Sequence, residues 1–287
     1  MTDTALSTTT DPEILDEEST RREVDVAGVR LSYHDVGEGH PVVLLHGSGP
    51  GATAWSNFSR NIATLARRFR VVALDAPGWG RSGAWADAVP PTVALLEHLG
   101  IDRAALVGNS MGGMTALRIA VHRPELVSHL VTMGAPCPGP NVYAAGDGPS
   151  EGMKALIAAY RDASPERIRA LVEIMCFDKA HATDDLARMR SEAALRRPDH
   201  LQGYLDNGGS PGRADFAALA GRLGALAMPL LAIHGRDDRV VTFENSLRLT
   251  ASVPDSRLLL LNRCGHWAQI EHAEVFNRAV ADFVLHH

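Results

Sequence analysis

The sequence predicts an α/β fold: a mostly parallel central sheet flanked by helices and interrupted by an inserted helical cap, or lid. Short continuous apolar runs at 42–45, 71–74 and 230–233 suit strands buried on both faces of a sheet. Helical stretches separate them, and that alternation is the pattern of a parallel sheet. Between residues 135 and 226 it stops, leaving turn clusters and amphipathic helical stripes with no convincing strand. The expected organisation is a poorly ordered leader at 1–23, a core formed by 24–134 and 227–287, and a cap domain at 135–226.

A chain of 287 residues with 45% hydrophobic and 22% charged residues can bury a sizeable core. Its formal net charge of −6 provides no basic field, so nucleic acid is not expected as a partner. Three cysteines, Cys137, Cys176 and Cys264, in a chain without a secretory signal argue against a disulfide framework and for a reducing cytoplasm. They form no CxxC or clustered Cys/His pattern, so no metal or other cofactor is expected. The polar, acidic N-terminus resembles neither signal peptide nor anchor, and no apolar run approaches the ~20 residues needed to cross a bilayer.

Taken in order, Val29–Val36 alternates as an early strand, and Gly37-Glu38-Gly39-His40-Pro41 turns the chain into the run at 42–45. His46-Gly47-Ser48-Gly49-Pro50-Gly51-Ala52 is too rich in glycine for helix or strand and forms a loop with accessible backbone N–H groups. A helix at 55–69 precedes the strand at 71–74, and Pro90-Pro91 opens a short helix reaching Leu99. A strand at 104–107, a sharp turn, a helix from Met111 and a strand at 127–133 follow. In the cap, Met153, Leu156, Ile157 and Tyr160 share one helical face, as do Ile168, Leu171, Val172 and Met175 behind Ser164-Pro165. Thr183 opens a third helix, and Leu201, Tyr204 and Leu205 mark a fourth; all four stripes are expected to be packing faces. After Pro229 come a strand at 230–233, a helix at 243–252, a strand at 257–261 and a helix at 271–285.

Chemistry enters at the turn Gly108-Asn109-Ser110-Met111-Gly112. A Gly-x-Ser-x-Gly elbow between strand and helix strains the serine backbone, and the flanking glycines let the two elements approach. That match is weak by itself, because serine also caps helices. A serine hydroxyl attacks only when a base removes its proton and a carboxylate fixes the base's tautomer. Gly235-Arg236-Asp237-Asp238-Arg239 and Cys264-Gly265-His266-Trp267 each follow a strand, and loops after strand C-termini share one edge of a parallel sheet. Ser110, Asp238 and His266 are therefore expected to converge, in the chain order of an α/β-hydrolase. Asp238 is favoured over Asp237, which is expected in turn hydrogen bonds. The backbone N–H groups of Met111 and Ser48 are the candidate donors to an oxyanion.

With Trp55-Ser56-Asn57 and Gly113 added, these motifs resemble the meta-cleavage-product hydrolases, carbon–carbon bond hydrolases of aromatic catabolism within the α/β-hydrolase superfamily. The resemblance runs from about Val29 to the C-terminus, and its narrower marks are Gly49-Pro50-Gly51-Ala52 and Asn109 before the serine. It implies a 2-hydroxy-6-oxo-hexa-2,4-dienoate-type substrate that is ketonised and then cleaved by water into a hydroxypentadienoate and a carboxylic acid. Ser110 would be the nucleophile, His266 the proton shuttle and Asp238 its orienter. Asn57, Asn109, Arg190 and Trp267 fall at matching substrate-site positions, beside Ser48, Gly49 and Met111. A guanidinium at Arg190 would grip the dienoate carboxylate bidentately. The resemblance also implies a homo-oligomer.

Two departures leave the acyl substituent and substrate size open. Met133-Gly134-Ala135-Pro136-Cys137-Pro138 stands where the family often has a glycine-rich stretch, and the segment at 82–100 is several residues short. An esterase or lactonase would use the same triad without Arg190, and a ligand receptor would keep the triad and close its cap on a bound molecule. A dehalogenase would carry aspartate in place of Ser110.

Overall fold

The computed structural model of the chain describes residues 15–141 and 149–287. Eight strands, β1 Arg21–Val26, β2 Val29–Val36, β3 Pro41–Leu45, β4 Arg70–Leu74, β5 Ala104–Asn109, β6 Val127–Met133, β7 Leu230–Gly235 and β8 Ser256–Leu261, form one sheet in the order β1-β2-β4-β3-β5-β6-β7-β8. From β4 through β8 in that order every pairing is parallel, while β2 pairs antiparallel with both β1 and β4. The β1–β2 hairpin turns through Ala27 and Gly28, both at positive φ (50° and 75°), the backbone that matches the natural twist of a tight hairpin.

The leader expected through residue 23 is corrected in its described part; residues 1–14 lie outside the described residues. Helix α1, Glu17–Thr20, is capped by the Asp16 carboxylate, which accepts from the Glu18 and Ser19 amides at 2.9 Å each. Arg21, Arg22 and Glu23 already belong to β1. Charged residues hide the strand pattern there, yet the Arg21 guanidinium reaches inward to Ser32 Oγ at 3.0 Å and lies 3.9 Å from buried Asp75.

The core helices are α2 Ala54–Leu65, α3 Val89–His98 and α4 Met111–His122. Between β6 and β7 lie α5 Glu151–Arg161, α6 Pro165–Met175, α7 Asp184–Leu195, α8 Pro198–Asp206 and α9 Arg213–Ala218; α10 Glu244–Ser252, α11 Ala268–Glu271 and α12 Ala273–His286 follow. Strand periodicity sorts the core into two apolar layers. Val43, Leu45 and Leu106 face α3, α4 and α10, with Leu95, Leu117 and Leu249 among the contacts. Val42, Leu44 and Val107 face α2 and α12 through Phe58, Ile62, Phe276 and Val280.

A third apolar cluster joins the stripes of α5, α6 and α8 (Leu156, Tyr160, Ile168, Leu171, Met175 and Tyr204) to Trp79, Met111 and Trp267 of the core. The helical stripes thus close over the C-terminal ends of the strands, where the loops bearing Ser110 and His266 leave the sheet. The end of the range assigned to the cap behaves differently. Phe216 of α9 and Leu219, Leu223 and Leu226 beyond it pack in the same apolar layer as α4, against the body of the sheet.

Candidate active site

Parallel pairing aligns the strand C-termini, with Leu45 of β3 beside Gly108 of β5, Asn109 beside Met133 of β6, and Gly235 of β7 beside Leu261 of β8. Each candidate side chain leaves the sheet just beyond that edge. Ser110 sits alone between β5 and α4 at φ 52° and ψ −112°, a strained backbone for a non-glycine residue that costs on the order of 1–3 kcal/mol. It is held there by its own N–H donating to Met133 O at 2.9 Å and by Met114 N–H donating to its carbonyl at 3.0 Å. The glycines are required by proximity. A Cβ at 108 would lie 2.3 Å from Gly112 O, and one at 112 would lie 2.0 Å from Leu45 O.

His266 Nδ1 lies 2.7 Å from Asp238 Oδ2, the contact that orients an imidazole base. Asp238 Oδ1 accepts from the amides of Val240 at 2.7 Å and Val241 at 3.0 Å. Burial pushes the Asp238 carboxyl upward, but the charge of His266 and hydrogen bonds from His234 and His266 overcome it and hold the group well below the usual carboxylate range. Asp237 instead turns away: its N–H donates to Cys264 O at 3.0 Å, and its carboxylate meets Arg236 at 3.4 Å near the surface.

His234 is a partner that the sequence reading missed. Its Nε2 faces two acceptors, Val241 O at 2.8 Å and Asp238 Oδ2 at 3.2 Å, so Nε2 carries the proton, and Nδ1 accepts from Ser246 Oγ at 2.7 Å. In the sequence it sits in an apolar strand run and looks like a packed core histidine. Glu271 was also missed; one carboxylate oxygen accepts from Gly265 N–H at 2.6 Å, the other from Phe177 and Asp178 N–H at 2.8 and 2.9 Å. With His266 N–H donating to Met175 O at 2.6 Å, this ties the histidine loop to the end of α6.

A small inner pocket of about 30 Å³ has Ser110, His266, Ser48, Gly49, Asn57 and Asn109 in its wall. Arg190 and Trp267 complete its polar and aromatic side, and Met153, Leu156 and Met175 its apolar side. An outer chamber of about 1050 Å³ shares Ser48, Ser110, Met153 and Val240 with it and extends past Met111, Phe216, Asn245 and Arg213. Seven of the predicted site residues outside the triad, Ser48, Gly49, Asn57, Asn109, Met111, Arg190 and Trp267, therefore border one chamber or the other.

Their surroundings differ. Asn57 Nδ2 donates to Thr53 O at 2.9 Å. Asn109 is fully buried, with Nδ2 donating to Met133 O at 3.1 Å and His266 O at 3.4 Å, so it braces the histidine loop, and its Oδ1 has no partner. Arg190 is 2% exposed and forms no ion pair among the described residues. Its Nη2 donates weakly to Ser56 Oγ at 3.4 Å, its guanidinium lies 4.5 Å from the Trp267 ring centroid, and its Nε has no partner. Burial pushes its pKa down to about 10. Gly51, at φ 66°, lets the loop after β3 run against α7, since a Cβ there would lie 2.0 Å from Arg190 O.

Comparison with known proteins agrees with this geometry. The α/β hydrolase fold family model matches residues 40–273. A 2-hydroxy-6-oxononadienedioate/2-hydroxy-6-oxononatrienedioate hydrolase of Cupriavidus pinatubonensis is 41% identical over 89% of this chain and 90% of its own length. One from Burkholderia vietnamiensis is 40% identical over 99% of each. Among solved structures, a meta-cleavage product hydrolase from Pseudomonas fluorescens IP01 superposes with a TM-score of 0.83 at 35% identity, covering 93% of this chain and 98% of that one. The elbow, the Asp238–His266 pair and these likenesses lead to one assignment: the chain belongs to the meta-cleavage-product hydrolases of the α/β-hydrolase fold family.

Proposed function

We propose that the protein hydrolyses a carbon–carbon bond of 2-hydroxy-6-oxo-hexa-2,4-dienoate-type ring-fission products, with Ser110 as nucleophile, His266 as proton shuttle and Asp238 as its orienter. The observation that carries this over simple ester hydrolysis is Arg190. A buried guanidinium without an ion-pair partner gains most from an anion; Arg190 has no such partner among the described residues, only the Trp267 ring and a weak bond to Ser56, and borders the same pocket as Ser110 and His266. An ester needs no such partner; a dienoate carboxylate supplies one.

In this reading the carboxylate enters the inner pocket against Arg190 and the 6-oxo carbon stands over Ser110. His266 first moves the dienol proton to the far carbon, giving the ketone. Ser110 then adds to the 6-oxo carbon as His266 takes its proton, and the N–H groups of Ser48 and Met111 receive the oxyanion. Collapse breaks the carbon–carbon bond, the hydroxypentadienoate leaves, and water delivered through His266 releases the acyl group as a carboxylic acid. Met153 and Leu156, apolar side chains of the cap, must yield for the whole dienoate to fit. The acyl arm extends into the outer chamber. Relatives named for nonadienedioates, whose acyl arm ends in a second carboxylate, together with Arg213 in that chamber's wall, support a diacid substrate.

The test is loss of the dienoate's visible absorbance over multiple turnovers. Ser110→Ala should lower kcat by at least 1000-fold while leaving the circular dichroism spectrum unchanged; turnover near the wild-type rate would remove Ser110 from the nucleophile role. Hydrolysis confined to simple aryl esters would instead point to an esterase.

A further inference from the structure

Three consecutive carbonyls of the loop after β3 are each bound by a different side chain. Gly47 O accepts from His46 Nδ1 at 2.7 Å, Ser48 O accepts from the Tyr160 hydroxyl, and Gly49 O accepts from Trp79 Nε1 at 3.2 Å. His46 can donate there because its Nε2 already accepts from Ala76 N–H at 2.9 Å, which leaves the proton on Nδ1. In a trans peptide the N–H points opposite to the carbonyl of the same plane. Anchoring Gly47 O therefore sets the direction of the Ser48 N–H, and anchoring Ser48 O that of the Gly49 N–H; both residues border the inner pocket.

His46 and Trp79 belong to the core, but Tyr160 comes from α5 of the helical insertion. Its single proton is committed to Ser48 O, so its other neighbour, His200 Nε2 at 3.1 Å, must donate to it. That requirement leaves His200 Nδ1 without a proton, and Nδ1 is indeed buried without a partner. The His200 ring, 1% exposed on α8, packs at 4.2 Å between centroids on Trp79 and 5.2 Å on Trp85. Tyr160 itself stacks on Tyr204 of α8 at 3.8 Å and 1°. The result is a directed chain, His200 Nε2–H to Tyr160 O–H to Ser48 O, running from two cap helices into the oxyanion loop.

We propose that Tyr160 and His200 are positioning residues that make the oxyanion loop competent only when the helical insertion is seated on the core. The inference rests on the reading that this loop stabilises an oxyanion formed on Ser110. Neither side chain acts on substrate directly; both fix the Ser48–Gly49 peptide, the plane that adjoins the Gly47–Ser48 peptide carrying the Ser48 N–H, and so hold Ser48 from its C-terminal side as His46 holds it from the other. A preorganised donor strengthens its interaction as charge develops on the substrate oxygen, so the effect should fall on the tetrahedral species and spare ground-state binding.

Tyr160→Phe keeps the ring stack and removes the donor. It should lower kcat for the dienoate 10- to 100-fold with KM changed less than twofold. A boronic acid that forms a tetrahedral adduct with Ser110 should lose affinity by a similar factor, while a hydroxypentadienoate product analogue should bind as before. A merely structural role would weaken both ligands together. His200→Leu should reproduce the loss, and His200→Gln, which restores an N–H donor, should recover part of it. Equal boronate affinity in wild type and Tyr160→Phe would overturn this inference alone. A wild-type enzyme that does not bind the boronate would overturn the oxyanion reading and this inference with it.

Discussion

Arg190 carries a guanidinium into the interior, and no carboxylate among the described residues meets it. Burial, the chief cause, pushes its pKa down to about 10, which corresponds to a cost on the order of 3 kcal/mol to the free fold. Function and stability are opposed at this residue. Arg190→Met, similar in length and apolar, should raise Tm by roughly 2–6 °C while raising KM for the dienoate by about 10- to 100-fold, the loss of a charge-assisted pair. Calorimetry and steady-state kinetics on one preparation check both signs; a variant that is destabilised and keeps its KM would show that Arg190 is a packing residue. Asp238 shows the opposite arrangement, a buried charge satisfied by two amides, His266 and His234.

At the scale of elements, the elbow is a packing problem before it is a chemical one. Strand β5 must pass into α4 while α4 lies against the end of β3, and the clearance at Gly112 is smaller than a methyl group. Gly112→Ala would drive its Cβ to 2.0 Å from the Leu45 carbonyl, a backbone atom in a central strand that cannot swing aside. The expected loss is more than about 3 kcal/mol of unfolding free energy in urea, together with activity; a variant within 1 kcal/mol of wild type would show that the helix can shift. This tightness was legible, because spacing within seven residues dictates it. The hairpin β1–β2 was not, since Arg21, Arg22, Glu23 and Asp25 mask its alternation and only pairing with β2 reveals the strand. Tyr160 was legible only as part of an apolar stripe. Its hydroxyl finds Ser48 O at a separation of 112 residues, which helical periodicity does not encode.

For the whole molecule, buried histidines set the response to acid. Burial lowers His46 from 6.5 to about 4 and His200 from 6.5 to about 3. Protons therefore bind the unfolded chain more tightly than the folded one between about pH 3 and 6.5, and stability falls as pH falls through that window. Above pH 6.5 both rings are neutral in either state and the contribution is complete. Between pH 7 and 5 each ring should cost about 2 kcal/mol of unfolding free energy. Asp75, whose pKa burial raises, acts in the opposite sense: the folded chain takes up its proton at a higher pH than the unfolded chain does, so this group adds stability as pH falls. Urea unfolding at pH 7 and pH 5 checks the sign and the size; equal midpoints and slopes would mean that the rings ionise freely inside the fold.

The sequence alone determined the order of strands from Val29 onward, the strained serine, the Ser, Asp, His succession and the interruption by helices, because each follows from composition or spacing within a short window. Tertiary structure alone set Asp238 and not Asp237 against His266, brought His234 behind that carboxylate, turned Arg190 inward with no ion pair among the described residues, and joined Tyr160 to Ser48 O. Those outcomes depend on directions of side chains from elements far apart in the chain. Hydrogen bonds of about 3 Å select among such directions, and hydrophobic periodicity, which records only which face is buried, carries no information about them.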